Sequence, residues 1–359
     1  MMVKLYLAME RDLLVVHEST QTSWQTEAHL VGMQPTCIAA DPLRPERVYC
    51  GTFGRGLWGS EDAGHSWQPM GHPGAAMEPY DGLGIPLAKI TALAVSHNER
   101  HNGYGVVYAG TEPASLFRSE DGGATWHDLA TLRDLPSASS WSFPPRPYSN
   151  LVRSITPDPH VTGRIFVAIE AGALVFSPDG GNQWHDRTPD SPLDTHTLLM
   201  HPLAPNRLYS AAGDGLRAPE RGYNESYDAG ATWHHSAEGR DHHYLWGMAI
   251  DPADPETVLV SASPNAYRAH HTRAEAYSTI YRKTADSVWQ EARQGLPAPH
   301  GVVAPVLATN AQEPHTFYAL TNKGLHRSQD AGQVWASLPV PWQDAYLNQH
   351  QQALLVVSA

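Results

Sequence analysis

The eight residues Ser119-Glu120-Asp121-Gly122-Gly123-Ala124-Thr125-Trp126 constrain the whole chain, because their pattern S-x-D-x-G-x-x-W returns at Ser60–Trp67, Ser177–Trp184, Ser226–Trp233 and Ser328–Trp335. Two worn copies end on Trp24 and Trp289. A pattern that returns roughly every fifty residues belongs to a repeat architecture, in which each repeat hides its apolar face only against its neighbours. Each part of the pattern has a mechanical role. An Asp carboxylate accepts backbone N–H groups inside a tight turn, and a Gly takes the positive φ that side chains resist. The Trp buries a large ring where one repeat meets the next.

Between the copies, short apolar runs ending near Asp-Pro lead through a turn to a second run that ends in an aromatic or aliphatic residue. Examples are Ile155–Pro159 with Arg164–Phe166, Thr197–Pro202 with Arg207–Tyr209, and Met248–Pro252 with Thr257–Val260. Each pair reads as a β-hairpin. A third strand precedes each S-x-D-x-G-x-x-W turn and a fourth begins at its Trp, which makes four antiparallel strands per repeat. The seven Trp positions then predict an all-β, seven-bladed β-propeller. The first repeat lacks its first strand, since Val3–Met9 aligns with second strands and Asp12–His17 with third strands. The apolar run Ala353–Ser358 is left over at the other end, so it is predicted to complete the N-terminal blade and cover two sheet edges. No linker interrupts the pattern, and residues 1–359 read as one domain.

The motif resembles the Asp-box, or bacterial neuraminidase repeat, of sialidase-like β-propellers. That superfamily includes two-propeller xyloglucan-cleaving glycosidases, the sortilin lumenal domain, the propeller factor assisting photosystem II assembly, and cytosolic glycosyl-hydrolase-like repeat proteins. The resemblance implies the fold, and it implies that the motif lies on an outer turn, away from any reaction site. Seven blades match the assembly factor; sialidases have six, and their Phe/Tyr-Arg-Ile-Pro motif is absent here.

A formal charge of −13 argues against a nucleic-acid or anionic-membrane partner, both of which need a basic surface. No apolar run approaches the length of a transmembrane helix, and the N-terminus shows no secretory pattern, so a cytoplasmic location is expected. Cys37 and Cys50 make no disulfide framework and read as small buried thiols facing each other across a hairpin. The adjacent His pairs at 234–235, 242–243 and 270–271 each offer one ligand at most, and no H-E-x-x-H or Cys/His spacing is present. Neither a metal nor a cofactor is expected.

Long insertions at 71–87, 134–150, 213–224, 236–245 and 262–277 all fall on connections opposite the motif turns. They carry aromatic, Arg and His residues, among them Tyr80, Trp141, Arg146, His243 and Arg273, and read as walls of a cleft. Aligning the repeats places Thr36, Arg153, His196 and Trp246 at one level of the first strands. The ends of the second strands then bring Glu112, Glu170 and Asp214 side by side. Crowded carboxylates beside Arg153 and His196 are the material of acid–base chemistry, because neighbours drive their pKa values apart. Glu112, Glu170 and Asp214 are therefore the candidate catalytic groups. Trp141, Arg146, Arg153, His196, His243 and Trp246 are the candidate ligand contacts. The structural alternative is that the carboxylates are arginine partners and the Trp rings are packing. Two functions follow: a glycoside-hydrolase-like site for a carbohydrate or small polar ligand, or a scaffold that uses the same face to bind a protein partner.

Overall fold

The computed structural model describes residues 3–20, 23–70, 84–271, 275–285 and 287–358; most of the first insertion, with Tyr80, and residues 272–274, with Arg273, lie outside the described residues. The chain is all-β, a seven-bladed β-propeller of antiparallel sheets. Among the described residues no helix is long and apolar enough to cross a membrane.

The blades fall into two compact units, Met1–Ala28 with His196–Ala359, and His29–Thr195. The second unit holds the second to fourth blades. The second blade runs Pro35–Asp41, Arg44–Thr52, Leu57–Ser60 and Gln68–Met70. The third runs Ile90–His101, Tyr104–Thr111, Leu116–Ser119 and His127–Asp128. The fourth has three strands, Val152–Pro157, Ile165–Ile169 and Ala173–Ser177, and its fourth position is kept by a single bridge between Phe176 and His185. Its second strand, Ile-Phe-Val-Ala-Ile, is buried along its whole length, as expected of a strand covered on both faces. Val106, Val152, Val167 and Trp141 share one core cluster in this unit.

The first unit holds the other four blades. Ala353–Ser358 pairs antiparallel with Val3–Ala8, from Val3 opposite Ser358 to Ala8 opposite Ala353, so the C-terminal strand completes the N-terminal blade. The fifth blade runs Thr195–His201, Ala204–Ala212, Tyr223–Ser226 and His234–His235. The sixth begins with Tyr244–Asp251 and Asp254–Ser263, and the seventh with Val306–Ala308 and Phe317–Thr321.

All five S-x-D-x-G-x-x-W segments share the same Ser-to-Asp and Gly-to-Ser hydrogen bonds. In the third blade the Ser119 hydroxyl donates to Asp121 (2.8 Å) and accepts from Gly123 N–H (2.8 Å), while Thr125 N–H donates to Asp121 (2.9 Å). The ring N–H of Trp126 closes the turn onto the Gly123 carbonyl at 2.9 Å. The residue before the Gly is left-handed as well, which the sequence reading assigned to the Gly alone. Ala63 (φ 57), Ala229 (φ 58) and Ala331 (φ 60) occupy that place. Left-handed backbone costs a side-chain-bearing residue roughly 1–2 kcal/mol, which the Ser and Asp hydrogen bonds offset.

Two register expectations change. Cys37 stands opposite Gly51 and Cys50 opposite Ile38, because an irregularity between Ala40 and Asp41 shifts the hairpin by one residue. Both thiols are free, and burial pushes Cys37 up to about 12. The first strands also carry bulges, which matter for the site.

Candidate functional site

Backbone geometry gives Phe53, Glu112 and Glu170 the same place at the ends of their second strands. Each donates its N–H to the residue just ahead of the blade's first strand: Phe53 to Gln34 (2.9 Å), Glu112 to Lys89 (3.1 Å) and Glu170 to Leu151 (3.1 Å). Glu112 is 2% exposed, and both its oxygens are taken by Arg146, Nε to Oε1 at 2.8 Å and Nη2 to Oε2 at 2.6 Å. Arg146 comes from the 134–150 insertion, where a turn through Phe143, Arg146 and Ser149 fixes its backbone. Its guanidinium lies over the Phe143 ring (4.7 Å) and the Phe53 ring (5.3 Å). Lys89 adds a second cation 3.5 Å from Glu112 Oε1. Burial alone would raise the Glu112 carboxyl, but the hydrogen bonds and charge of Arg146, with Lys89 beside them, hold it below the ordinary carboxylate range. A bidentate, charge-assisted pair of this kind is strong and geometrically fixed. Glu170 has its own arginine, with Arg153 Nε 3.7 Å from Oε2.

Asp214 belongs to the other unit, in the short helix Gly213–Leu216, where its carbonyl accepts from Arg217 and Ala218. Trp141 spends its ring inside the fold: it packs on Gly172, where an added Cβ would stand 3.1 Å from the ring, and its N–H donates to Ser137 Oγ at 3.0 Å. It is 6% exposed and shares a core cluster with residues of the third and fourth blades, which the 134–150 insertion joins.

Arg153 and His196 are not at equivalent places. The first strands of successive blades are stitched by Thr36 Oγ1 to the Ile90 carbonyl (2.5 Å), Thr91 to Val152 (2.7 Å) and Thr197 to Trp246 (2.8 Å). Thr36, Thr91 and Thr197 are therefore equivalent, and His196 and Trp246 fall one residue ahead of that row while Arg153 falls on it. Bulges at Pro35/Cys37, Ile90/Ala92, Val152/Ser154 and Leu245/Met248 absorb the extra residue and break any fixed count along the strand.

His196 and Trp246 do meet, in a cluster within the first unit. Their ring centroids are 4.6 Å apart, and Tyr244 lies 5.0 Å from His196. His270, from the helix Ala266–His270, sits edge-on to Trp246 at 4.2 Å. One donor pattern satisfies the polar chain here. Gln352 Nε2 donates to His350 Nδ1 (3.1 Å), His350 Nε2 to His270 Nδ1 (2.6 Å), and His270 Nε2 to Tyr244 Oη (2.8 Å). His243 lies apart from this cluster, its backbone carbonyl packed under Gly215 and Gly222.

Sequence reasoning missed the open ground. A groove of about 340 Å³ is lined by Val31, Met33, Gly54, Arg55, Trp58 and Ala88. Gly54, in its wall, and Gly56 just behind it in the chain have φ of 115 and 71, and both donate N–H to the Ala88 carbonyl, at 3.1 and 2.9 Å. Trp58 is held by its ring N–H on the Arg55 carbonyl at 3.0 Å. Val31 stands 68% exposed on the rim. Two of its lining residues, Gly54 and Ala88, are the chain neighbours of Phe53 and Lys89, which contact Arg146 and Glu112 respectively. The signal for it was Gly54-Arg55-Gly56 after a strand, in a connection too short to count as an insertion.

No protein-family model and no curated protein matches the chain. Solved structures do. A GH74 enzyme from Niastella koreensis superposes with a TM-score of 0.65 at 15% identity, over 92% of this chain and 53% of that one. An ancestral GH74 enzyme gives a TM-score of 0.59 at 16% identity, over 90% of this chain and 38% of that one. The chain thus spans less than two thirds of either enzyme. YCF48 bound to D1 peptide gives 0.57 at 16% identity, over 90% of this chain and 93% of that one. At these identities the chain is similar in fold to all three.

Proposed function

We propose that this chain is a single-domain binding propeller that takes up a short polypeptide segment in the Met33–Trp58 groove and does not hydrolyse it. The observation that carries this reading is the state of Glu112: buried, bidentate to Arg146 and held ionised. A general acid needs a raised pKa, and a glycosidase needs one carboxyl free to give a proton while another attacks or activates water. Glu170 also faces an arginine, with Arg153 Nε 3.7 Å from Oε2. The Asp41, Asp62, Asp121, Asp179, Asp228, Glu256 and Asp330 carboxyls are also displaced, and all of them downward.

The groove suits a peptide because it offers the Trp58 ring and the Val31 and Met33 side chains as apolar contacts, with Arg55 beside them. The likeness to YCF48 bound to D1 peptide over nearly its full length supports the same reading. The five S-x-D-x-G-x-x-W turns are assigned to the Asp-box class with a structural role, since their Asp and Ser groups are consumed inside the turn. The competing reading is glycoside hydrolysis through Glu112, Glu170 and Asp214, supported by the likeness to GH74 enzymes.

The test is a calorimetric screen of peptide and xyloglucan-oligosaccharide panels, with wild type, Trp58→Ala and Glu112→Gln, together with an assay for released reducing ends. The reading expects peptide binding weakened about tenfold or more by Trp58→Ala, as for an interface aromatic anchor. Reducing ends released by wild type and lost in Glu112→Gln would establish the hydrolase instead.

A further inference from the structure

Arg240 is 5% exposed, and Nε, Nη1 and Nη2 are all buried with no hydrogen-bond partner among the described residues. An arginine has five N–H donors and no way to shed its charge at neutral pH, so burying all of them unmet is among the most costly arrangements a fold can hold. Burial, the dominant influence, pushes the group down to about 10, so it is still a cation at neutral pH. Its charge is met by aromatic groups alone among the described residues: the guanidinium carbon lies 5.0 Å from the Trp289 ring centroid, and the Tyr223 and Tyr281 side chains add weak electrostatic support.

The neighbouring repeat shows what packing alone requires at this place. Gly239 and Gly295 both have φ near 90 and both press on a Trp carbonyl, of Trp289 and Trp335 respectively. Trp289 N–H donates to the Glu238 carbonyl (3.0 Å), and Trp335 N–H to that of Gln294 (2.8 Å). Arg240 N–H donates to Ala237 (3.0 Å), and Leu296 N–H to Arg293 (2.9 Å). Leu296 is thus the counterpart of Arg240, and it packs in an apolar cluster with Trp335. Trp335 also satisfies its ring N–H on the Ala292 carbonyl at 3.0 Å, whereas Trp289 Nε1 is buried without a partner among the described residues. One repeat therefore carries a cation and two sets of unmet donors where the next carries a leucine and a satisfied ring.

The 213–222 insertion lies on this place. A Cβ on Gly222 would stand 3.5 Å from Arg240 Nη2, and Gly215 and Gly222 both rest on the His243 carbonyl. His243 Nδ1 is a further buried atom with no partner among the described residues.

We propose that Arg240 is the anchor of a carboxylate-binding site beneath the Gly213–Gly222 insertion, in which a ligand's carboxylate takes the guanidinium edge left free by Trp289. A carboxylate is planar and matches the guanidinium fork with two parallel hydrogen bonds. As a monoanion it neutralises a single buried cation, whereas a phosphate dianion would bring a surplus charge into a dry site. This site is distinct from the Met33–Trp58 groove and stands or falls without it.

The test uses sodium formate and acetate as probes on the full chain, read by thermal melting and by calorimetry against sodium chloride and sodium phosphate at matched ionic strength. Wild type is expected to show a saturable rise in Tm with formate or acetate. Arg240→Leu is expected to lose that response and to melt higher than wild type in chloride, because a leucine is what the position accommodates in the next repeat. Arg240→Lys, which keeps the charge and loses the fork, should bind at least about tenfold more weakly. A wild type that answers formate no more than chloride, or an Arg240→Leu protein that answers as wild type does, overturns the proposal. A response to phosphate alone overturns the carboxylate assignment.

Discussion

Removing residues 353–359 tests how the N-terminal blade is completed. The strand Ala353–Ser358 contributes a ladder of six residue pairs to Val3–Ala8, and Val356 is 5% exposed. At about 1 kcal/mol net per backbone hydrogen bond, the ladder is worth roughly 5 kcal/mol. Burial of Val356 adds about 2 kcal/mol. The truncation also opens the edge of Val3–Ala8, whose Leu5 and Leu7 are fully buried. The total rivals the roughly 5–15 kcal/mol by which a domain is stable. The shortened chain should therefore melt far below the intact one, or aggregate through its new edge. Calorimetry and size-exclusion chromatography read both outcomes. A synthetic peptide of residues 351–358 added in trans should recover part of the lost Tm by strand addition. A truncated protein that melts like the intact chain and ignores the peptide would refute this closure.

Asp121→Ala removes the acceptor of Ser119, Thr125 N–H and Thr125 Oγ1, and should lower stability by about 1 kcal/mol with peptide affinity unchanged. Calorimetric melting alongside binding titration checks both halves. Ala229→Gly relieves a left-handed alanine at φ 58, and thermal melting should show a gain of about 0.5 kcal/mol after the entropy of the glycine is counted. Arg146→Ala leaves Glu112 buried with only the more distant Lys89 as a cation and should cost about 3 kcal/mol in urea unfolding at neutral pH. The pH dependence follows from the direction of the Glu112 shift. A carboxyl held below its unfolded value stabilises the fold above that unfolded value, and the contribution is lost as pH falls through the folded value. Unfolding measured from pH 6 down to pH 3, a window of about three units, should show an acid-side loss that Glu112→Gln reduces.

Much of the fold was legible because a turn of eight residues needs its Ser, Asp and Gly in place whatever surrounds it. Five intact copies therefore mark five blades, and the surplus strand Ala353–Ser358 marks the completion of the first. The site was less legible for two physical reasons. Counting along first strands assumes an unbroken period, and bulges such as Val152/Ser154 and Leu245/Met248 break it, so His196 and Arg153 came out of step. Long insertions also drew attention as ligand walls. The 134–150 insertion instead folds back, burying Trp141 and delivering Arg146 to Glu112, while the open groove lies over the short turn at Gly54–Gly56. Nothing in the pattern of residues distinguishes an arginine that binds a ligand from one that neutralises its own glutamate.

The claim that Glu112 is a structural partner of Arg146 and not a proton donor can be measured at the atom concerned. In protein labelled with 13C-glutamate, the Glu112 Cδ resonance, assigned by its absence from Glu112→Gln, can be followed through an acid titration. The account predicts a midpoint below that of an ordinary glutamate, moving up when Arg146 is replaced by glutamine. A midpoint near neutral pH would mark a carboxyl poised to give up a proton, and would contradict the binding-only reading of this propeller.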